Sequence, residues 1–203
     1  CLTPWTGFPA GTEKQGDGLM TLIEAAGVIV SFTGIWLTSK RSMLCWPVCL
    51  LGCALYFKIF LDVRLYSDMV LQAIFGGALI YGWFAWSRDK ENTGEVTVEP
   101  LHPMTALLGL AAGAVGAVTV GWATSQFTNA SLPWMDATLS SFSIVAQYWT
   151  ARRHAASWLL WIGLDTLYVG MFIVKDLWLT AGLYGAMTGL AMLGYVRWRR
   201  ALQ

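Results

Sequence analysis

Trp46-Pro47-Val48-Cys49-Leu50-Leu51-Gly52-Cys53-Ala54-Leu55-Tyr56 and Trp158-Leu159-Leu160-Trp161-Ile162-Gly163-Leu164-Asp165-Thr166-Leu167-Tyr168 are two versions of one apolar segment, 112 residues apart. The likeness spreads outward from them without a gap. The same shift lays Glu24 on Asp136, Phe60 on Phe172, Gly77 on Gly189, Gly82 on Gly194 and Trp86 on Trp198. It also brings Ser31 onto Ser143, Thr38 onto Thr150, and Lys40-Arg41 onto Arg152-Arg153, so hydroxyls and charges keep register with the apolar positions. Duplication on this scale is common in membrane transporters, whose sites lie between the repeats.

Composition sets the environment. Apolar residues make up 56% of the chain, charged residues 12%, and mean hydropathy is +0.54. A soluble domain needs more charge than this to cover its surface, so the chain reads as an integral membrane protein. The net charge of +1 gives no basic bias toward nucleic acid. Cys45, Cys49 and Cys53 share a helix face, where small polarizable residues inside a membrane helix are the ordinary reading. No second cluster of Cys or His completes a metal site, and no metal or cofactor is expected.

Apolar runs long enough to cross about 30 Å of hydrocarbon occur at 18–38, 43–61, 67–86, 104–122, 134–150, 155–174 and 177–197. The expected fold is all-α and polytopic, with seven transmembrane helices. A first three-helix repeat (18–86) leads through a polar linker (87–103), rich in charge and expected to be flexible, into a connecting helix (104–122) opened by Pro103. A second repeat follows at 134–198. The loops after the odd-numbered spans hold Lys40, Arg41, Arg88, Lys90, Arg152, Arg153, Arg197, Arg199 and Arg200, nine of the thirteen Lys and Arg. The other side has Lys14, Lys58, Arg64 and Lys175. The positive-inside rule then places the N-terminus outside and the C-terminus in the cytoplasm. The lone fourth crossing makes the two repeats parallel, related by an axis along the membrane normal.

Within the spans, polar and aromatic residues form stripes. At 100° per residue, Trp158, Trp161, Asp165 and Tyr168 fall within about 80° on the sixth helix. Their counterparts on the second helix are Trp46, Cys49, Cys53 and Tyr56. Asp136, Ser140, Ser143 and Gln147 line the fifth helix, Thr180, Tyr184, Thr188 and Tyr195 the seventh, and Asp68, Gln72, Gly76, Trp83 and Trp86 the third. Asp165 lies mid-span, where an ionisable group is costly and marks a functional candidate, although a hydrogen-bonded structural carboxyl is the alternative. Gln72 and Gln147 suit an amide or a sugar hydroxyl, or act as interhelical glue. Trp83, Trp86, Trp178 and Trp198 have the alternative reading of interface anchors. Aromatic planes beside a carboxylate suit a flat, cationic or electron-poor ring.

Trp158-Leu159-Leu160-Trp161 followed by Asp165-Thr166-Leu167-Tyr168, with Leu55-Tyr56 and Tyr81-Gly82-Trp83-Phe84-Ala85-Trp86 in the first half, resembles the PnuC family of bacterial nicotinamide riboside transporters. The resemblance runs from about Glu24 to Arg200. It implies facilitated diffusion of an unphosphorylated vitamin precursor across the bacterial inner membrane, a cytoplasmic nicotinamide riboside kinase that traps the product, and a homotrimer. No GxxxxGK[ST] phosphate loop is present, as a passive carrier would have it. Related carriers of thiamine, riboflavin or deoxynucleosides remain open. For nicotinamide riboside, the pyridinium suits Trp158 or Trp161, the carboxamide Gln72 or Gln147, and the ribose Asp165, Tyr168 or Tyr184. Ser143, Trp46 and Tyr56 complete the candidate binding set.

Other classes fit poorly. A retinal-type photoreceptor needs a lysine buried in the last span, and Lys175 lies before it. An intramembrane aspartyl protease needs two carboxylates at one depth, whereas Asp136 is near a membrane surface and Asp165 lies about 9 Å deeper. A non-transport scaffold would not need inward stripes of Gln, Asp and Trp.

Overall fold

The computed structural model describes residues 17–62, 66–127, 132–174 and 178–202. The Glu24 and Asp68 side chains, and Lys14, Arg64 and Lys175, lie outside the described parts. The order is α1 (Asp17–Ser39), α2 (Cys45–Asp62), α3 (Tyr66–Thr93), α4 (Pro103–Phe127), α5 (Pro133–Ala151), α6 (Ala156–Val174) and α7 (Trp178–Arg200). Prolines stand at the first position of α4 and α5, where a missing N–H costs nothing. The exterior is apolar: Leu107, Leu108, Val115, Val118 and Trp122 on α4 are exposed, as are Ile29, Ile80 and Leu167 elsewhere. The interior holds the polar side chains, among them Gln72, Ser143, Gln147, Asp165 and Thr180. Such an inside-out distribution belongs in hydrocarbon, where every backbone group is already satisfied by its helix. By length and composition alone, part of α3 and the whole of α4 and α6 qualify as spans; α5 carries more polar residues, and Ser141, Ser143 and Gln147 among them are buried.

Helix contacts come in repeat-related pairs. α1 packs on α2 as α5 does on α6, α2 on α3 as α6 on α7, and α1 meets α7 as α5 meets α3. Among the described residues, only the α4–α5 contact has no counterpart. There the small face of α4 receives rings from α5: a Cβ built on Gly109 would fall 2.9 Å from Trp149, on Gly113 2.9 Å from Phe142, and on Gly121 2.6 Å from Trp134. Small residues every four positions let two helices approach this closely.

The ends of α1 and α5 repeat to the atom. In each, the last turn closes by a paired set of backbone bonds, Arg41 N–H to Thr38 O (2.9 Å) with Ser42 N–H to Leu37 O (3.1 Å), and Arg153 N–H to Thr150 O (3.0 Å) with His154 N–H to Trp149 O (2.9 Å). This is the Schellman pattern, whose turning residue is left-handed. Arg41 (φ 57) and Arg153 (φ 63) occupy it where glycine would be cheaper. Both guanidiniums hold the linker. Arg41 donates to the Val96 carbonyl at 2.8 Å, and Arg153 binds Asp89 at 3.3 Å and Glu99. The expected flexible linker is therefore corrected: α3 continues to Thr93, stops at the left-handed Gly94 (φ 85), and Asp89 Oδ2 accepts from the Thr97 N–H at 2.7 Å. His154, in the turn after α5, pairs with the Glu99 backbone, and burial lowers its imidazole from the ordinary value, so it is neutral at pH 7.

Trp86 and Trp198 are not interface anchors. Both are fully buried, 5.7 Å apart, at the meeting point of the repeats. Trp86 Nε1 donates to the Thr150 carbonyl and Trp198 Nε1 to the Thr38 carbonyl, each at 3.3 Å, so each repeat bonds the other through the same pair of positions. Trp46 stands edge-on to Trp86 (4.9 Å, 88°) and Trp158 to Trp198 (5.6 Å, 84°), completing a row of four rings. Trp178 and Trp83, by contrast, are exposed as anchors should be. Because the two cross-bonds are equivalent, Trp86→Phe and Trp198→Phe should cost the same, about 0.5–1.5 kcal/mol each. Thermal unfolding in detergent checks this: two similar falls of a few degrees are expected, and one silent variant would contradict the equivalence.

Candidate functional site

The cavity beside the tryptophan row is lined by Ile35, Thr38, Cys45, Trp46, Cys49, Leu79, Gln147, Thr150, Trp158, Trp161, Asp165, Met187 and Ala191. Ten of these are five repeat-related pairs: Ile35 with Gln147, Thr38 with Thr150, Trp46 with Trp158, Cys49 with Trp161, and Leu79 with Ala191. The cavity therefore lies on the pseudo-two-fold axis between the repeats. Its empty volume is about 580 Å³, but the centre of a water molecule can occupy only about 50 Å³ of that, which makes it a tight cleft in this state.

Pseudo-symmetry breaks where chemistry is needed. Ile35 becomes Gln147, Cys49 becomes Trp161, and the buried Cys53 becomes Asp165 in the cavity wall. Trp161 is held in place by its Nε1, which donates to the Thr150 hydroxyl at 3.3 Å while that hydroxyl donates to the Ala146 carbonyl at 2.9 Å. Asp165 is 7% exposed and has no cation or hydrogen bond among the described residues. The indole N–H groups of Trp46 and Trp158 are likewise buried and unpartnered. Buried donors and acceptors are nearly always satisfied, so two indole N–H groups and one carboxyl without a partner among residues lining one cleft stand out. No Lys or Arg lines it.

The other sequence candidates lie around this cleft rather than in its wall. Tyr168, Tyr184 and Phe172 form a stack with Tyr168–Tyr184 at 4.7 Å and Phe172–Tyr184 at 5.2 Å. The Tyr184 hydroxyl is fully buried and unpartnered among the described residues, within electrostatic reach of Tyr168, Asp165 and Tyr56. Tyr56 reaches α1, where a Cβ on Gly27 would come 3.2 Å from its hydroxyl. Ser143 and its repeat mate Ser31 are buried with unpartnered hydroxyls, and Gln72 is buried on α3 outside the cavity wall. The sequence did not single out Thr38, Thr150, Cys45, Leu79, Met187 or Ala191 as lining residues, though the pairing of Thr38 with Thr150 in the repeat was a usable signal. Among the described residues, no group of three or more His, Cys, Asp or Glu could hold a metal.

Residues 21–200 match the family described as nicotinamide mononucleotide transporter. The chain belongs to this family. It is similar to the nicotinamide riboside transporter PnuC of Escherichia coli K12 and that of Shigella flexneri, each 26% identical over 88% of this chain and 85% of the relative. It is also similar to the riboflavin/roseoflavin transporter RibM of Streptomyces davaonensis, 28% identical over 86% of this chain and 83% of the relative. The crystal structure of the vitamin B3 transporter PnuC shares the fold, with a TM-score of 0.70 at 21% identity, covering 92% of this chain and 83% of that one. The seven-helix, three-plus-one-plus-three expectation thus holds.

An unpaired buried carboxyl costs stability unless it serves a ligand. Asp165→Leu should therefore leave the unfolding temperature of the ligand-free protein unchanged or raise it. A fall of several degrees would instead make Asp165 a structural tie between helices.

Proposed function

We propose that the protein carries nicotinamide riboside across the bacterial inner membrane by facilitated diffusion. The observation that carries this reading is the composition of the axial cleft: indole faces from both repeats, a single carboxyl, an amide and no basic residue. A pyridinium ring is flat and cationic, so it gains from stacking on Trp161 or Trp158 and from the nearby Asp165. The Gln147 amide in the cleft wall is of the right chemical kind for the carboxamide, and the indole N–H groups of Trp46 and Trp158 suit the ribose oxygens. The mononucleotide adds a phosphate bearing about −1.5 to −2 charges, for which the cleft supplies no guanidinium or ammonium. The family's descriptive name mentions the mononucleotide; the chemistry of this cleft favours the riboside.

The orientation belongs to the same proposal. The basic ends of the odd helices face the cytoplasm, placing the N-terminus outside, and the nine-to-four division of Lys and Arg supports it. A cytoplasmic nicotinamide riboside kinase would trap the product, which explains how a passive carrier can accumulate its cargo. The homotrimer rests on the family resemblance. The flavin carrier among the relatives favours a second substrate class for the same cleft, a larger neutral ring.

Titration of purified protein with nicotinamide riboside, its mononucleotide, thiamine and riboflavin, read by calorimetry, tests the substrate. The riboside should bind, and the mononucleotide at least about tenfold more weakly. Trp161→Ala and Asp165→Asn should each cost about 1–3 kcal/mol of riboside binding. Equal binding of the mononucleotide would overturn the reading, and a preference for riboflavin would move the protein to the flavin relative's class.

A further inference from the structure

We infer that the groove between α3 and the α5–α6 turn is a binding site for the phosphate headgroup of an anionic phospholipid. An open groove there, with an empty volume of about 900 Å³, is lined by Tyr81, Phe84, Ala85, Arg88, Arg152 and Arg153. It is separate from the axial cleft and shares no residue with it.

Three guanidiniums converge in this groove, and they differ in occupation. Arg153 already has its carboxylates, Asp89 and Glu99. Arg152 is exposed and donates to the Tyr81 hydroxyl at 3.4 Å, with Tyr148 and Glu99 within electrostatic reach. Arg88 is exposed and has no hydrogen bond or ion pair among the described residues. Two forked donor groups therefore line one pocket with no ion pair of their own, the Glu99 carboxylate being bound by Arg153 and only within electrostatic reach of Arg152, and a phosphate is the group whose geometry they match.

The depth of the groove selects a lipid over a soluble anion. The apolar spans read from the sequence end at 86 on α3 and 150 on α5, so Arg88 and Arg152 stand just past the hydrocarbon boundary, and Tyr81, Phe84 and Tyr148 just within it. Tyr81 and Phe84 share a face of α3 with Arg88 at helical spacing, as Tyr148 does with Arg152 on α5. Phe84 is 65% exposed, and Tyr81 and Tyr148 stack at 6.2 Å with their outer faces open. An aromatic wall below a basic pocket accepts acyl chain and headgroup together, the arrangement by which basic pockets between transmembrane helices hold anionic lipid. A free phosphate would use the arginines and leave the wall empty.

Detergent-purified protein, titrated with dioleoyl phosphatidylglycerol or dioleoyl phosphatidylcholine and read by native mass spectrometry, tests this. The anionic lipid should bind the wild type in preference to the zwitterionic one, and 20 mM inorganic phosphate should not displace it. The double variant Arg88→Gln/Arg152→Gln should lose roughly tenfold or more of the anionic lipid affinity, while riboside binding in the axial cleft is unchanged. Arg88→Lys/Arg152→Lys keeps the charge and should retain most of the preference. Equal binding of the two lipids by the wild type, equal affinity in the double glutamine variant, or displacement by inorganic phosphate would each overturn the proposal. Absence of a wild-type preference overturns the proposal even if the glutamine variant fails to fold.

Discussion

Two hydrogen bonds from tryptophan to threonine, crossing between the repeats in opposite directions, define the axis around which this molecule is arranged. Each connects an indole near the end of the third helix of one repeat to the carbonyl closing the first helix of the other. The interaction is short-ranged and needs a dry environment, which the mutual contact of Trp86 and Trp198 and the flanking rings of Trp46 and Trp158 provide. Room for those flanking rings comes from two glycines: a Cβ on Gly82 would lie 2.1 Å from Trp46, and one on Gly194 would lie 2.6 Å from Trp158. Glycine at both positions is thus a packing requirement of the tryptophan row.

The axis explains why the cleft is where it is and why it is uneven. Perfect two-fold symmetry would give a symmetric hole, whereas a nucleoside has a ring at one end and a sugar at the other. The substitutions of Cys49 by Trp161, Cys53 by Asp165 and Ile35 by Gln147 put aromatic area, acid and amide on the side of the second repeat. The first repeat contributes Trp46, a row of small thiols and Thr38. Duplication supplied the shell, and divergence at three paired positions supplied a polar direction within it.

The repeat, the seven spans and the membrane setting were legible in the sequence because each depends on local hydropathy or on a constant offset. Of the site, Trp46, Trp158, Trp161, Asp165 and Gln147 were legible for the same reason: a polar residue on an apolar helix has few places to point. What escaped depends on which helix becomes whose neighbour. Trp86 and Trp198 have the sequence signature of interface anchors, and only the contact of their two rings across the axis makes them part of a core. The charge-rich stretch after α3 looks like a solvated tether, yet two left-handed arginines hold it to the helix ends. The glycine face of α4 reads as generic membrane helix until the α5 rings are seen seated on it.

The most direct test of the account is a structure with nicotinamide riboside bound. The account requires one ligand per chain on the axis between the repeats, with the pyridinium against Trp161 or Trp158 and near the Asp165 carboxyl, and with the ribose toward Trp46. A ligand bound away from the axis, or one whose ring contacts neither Trp158 nor Trp161, would contradict it.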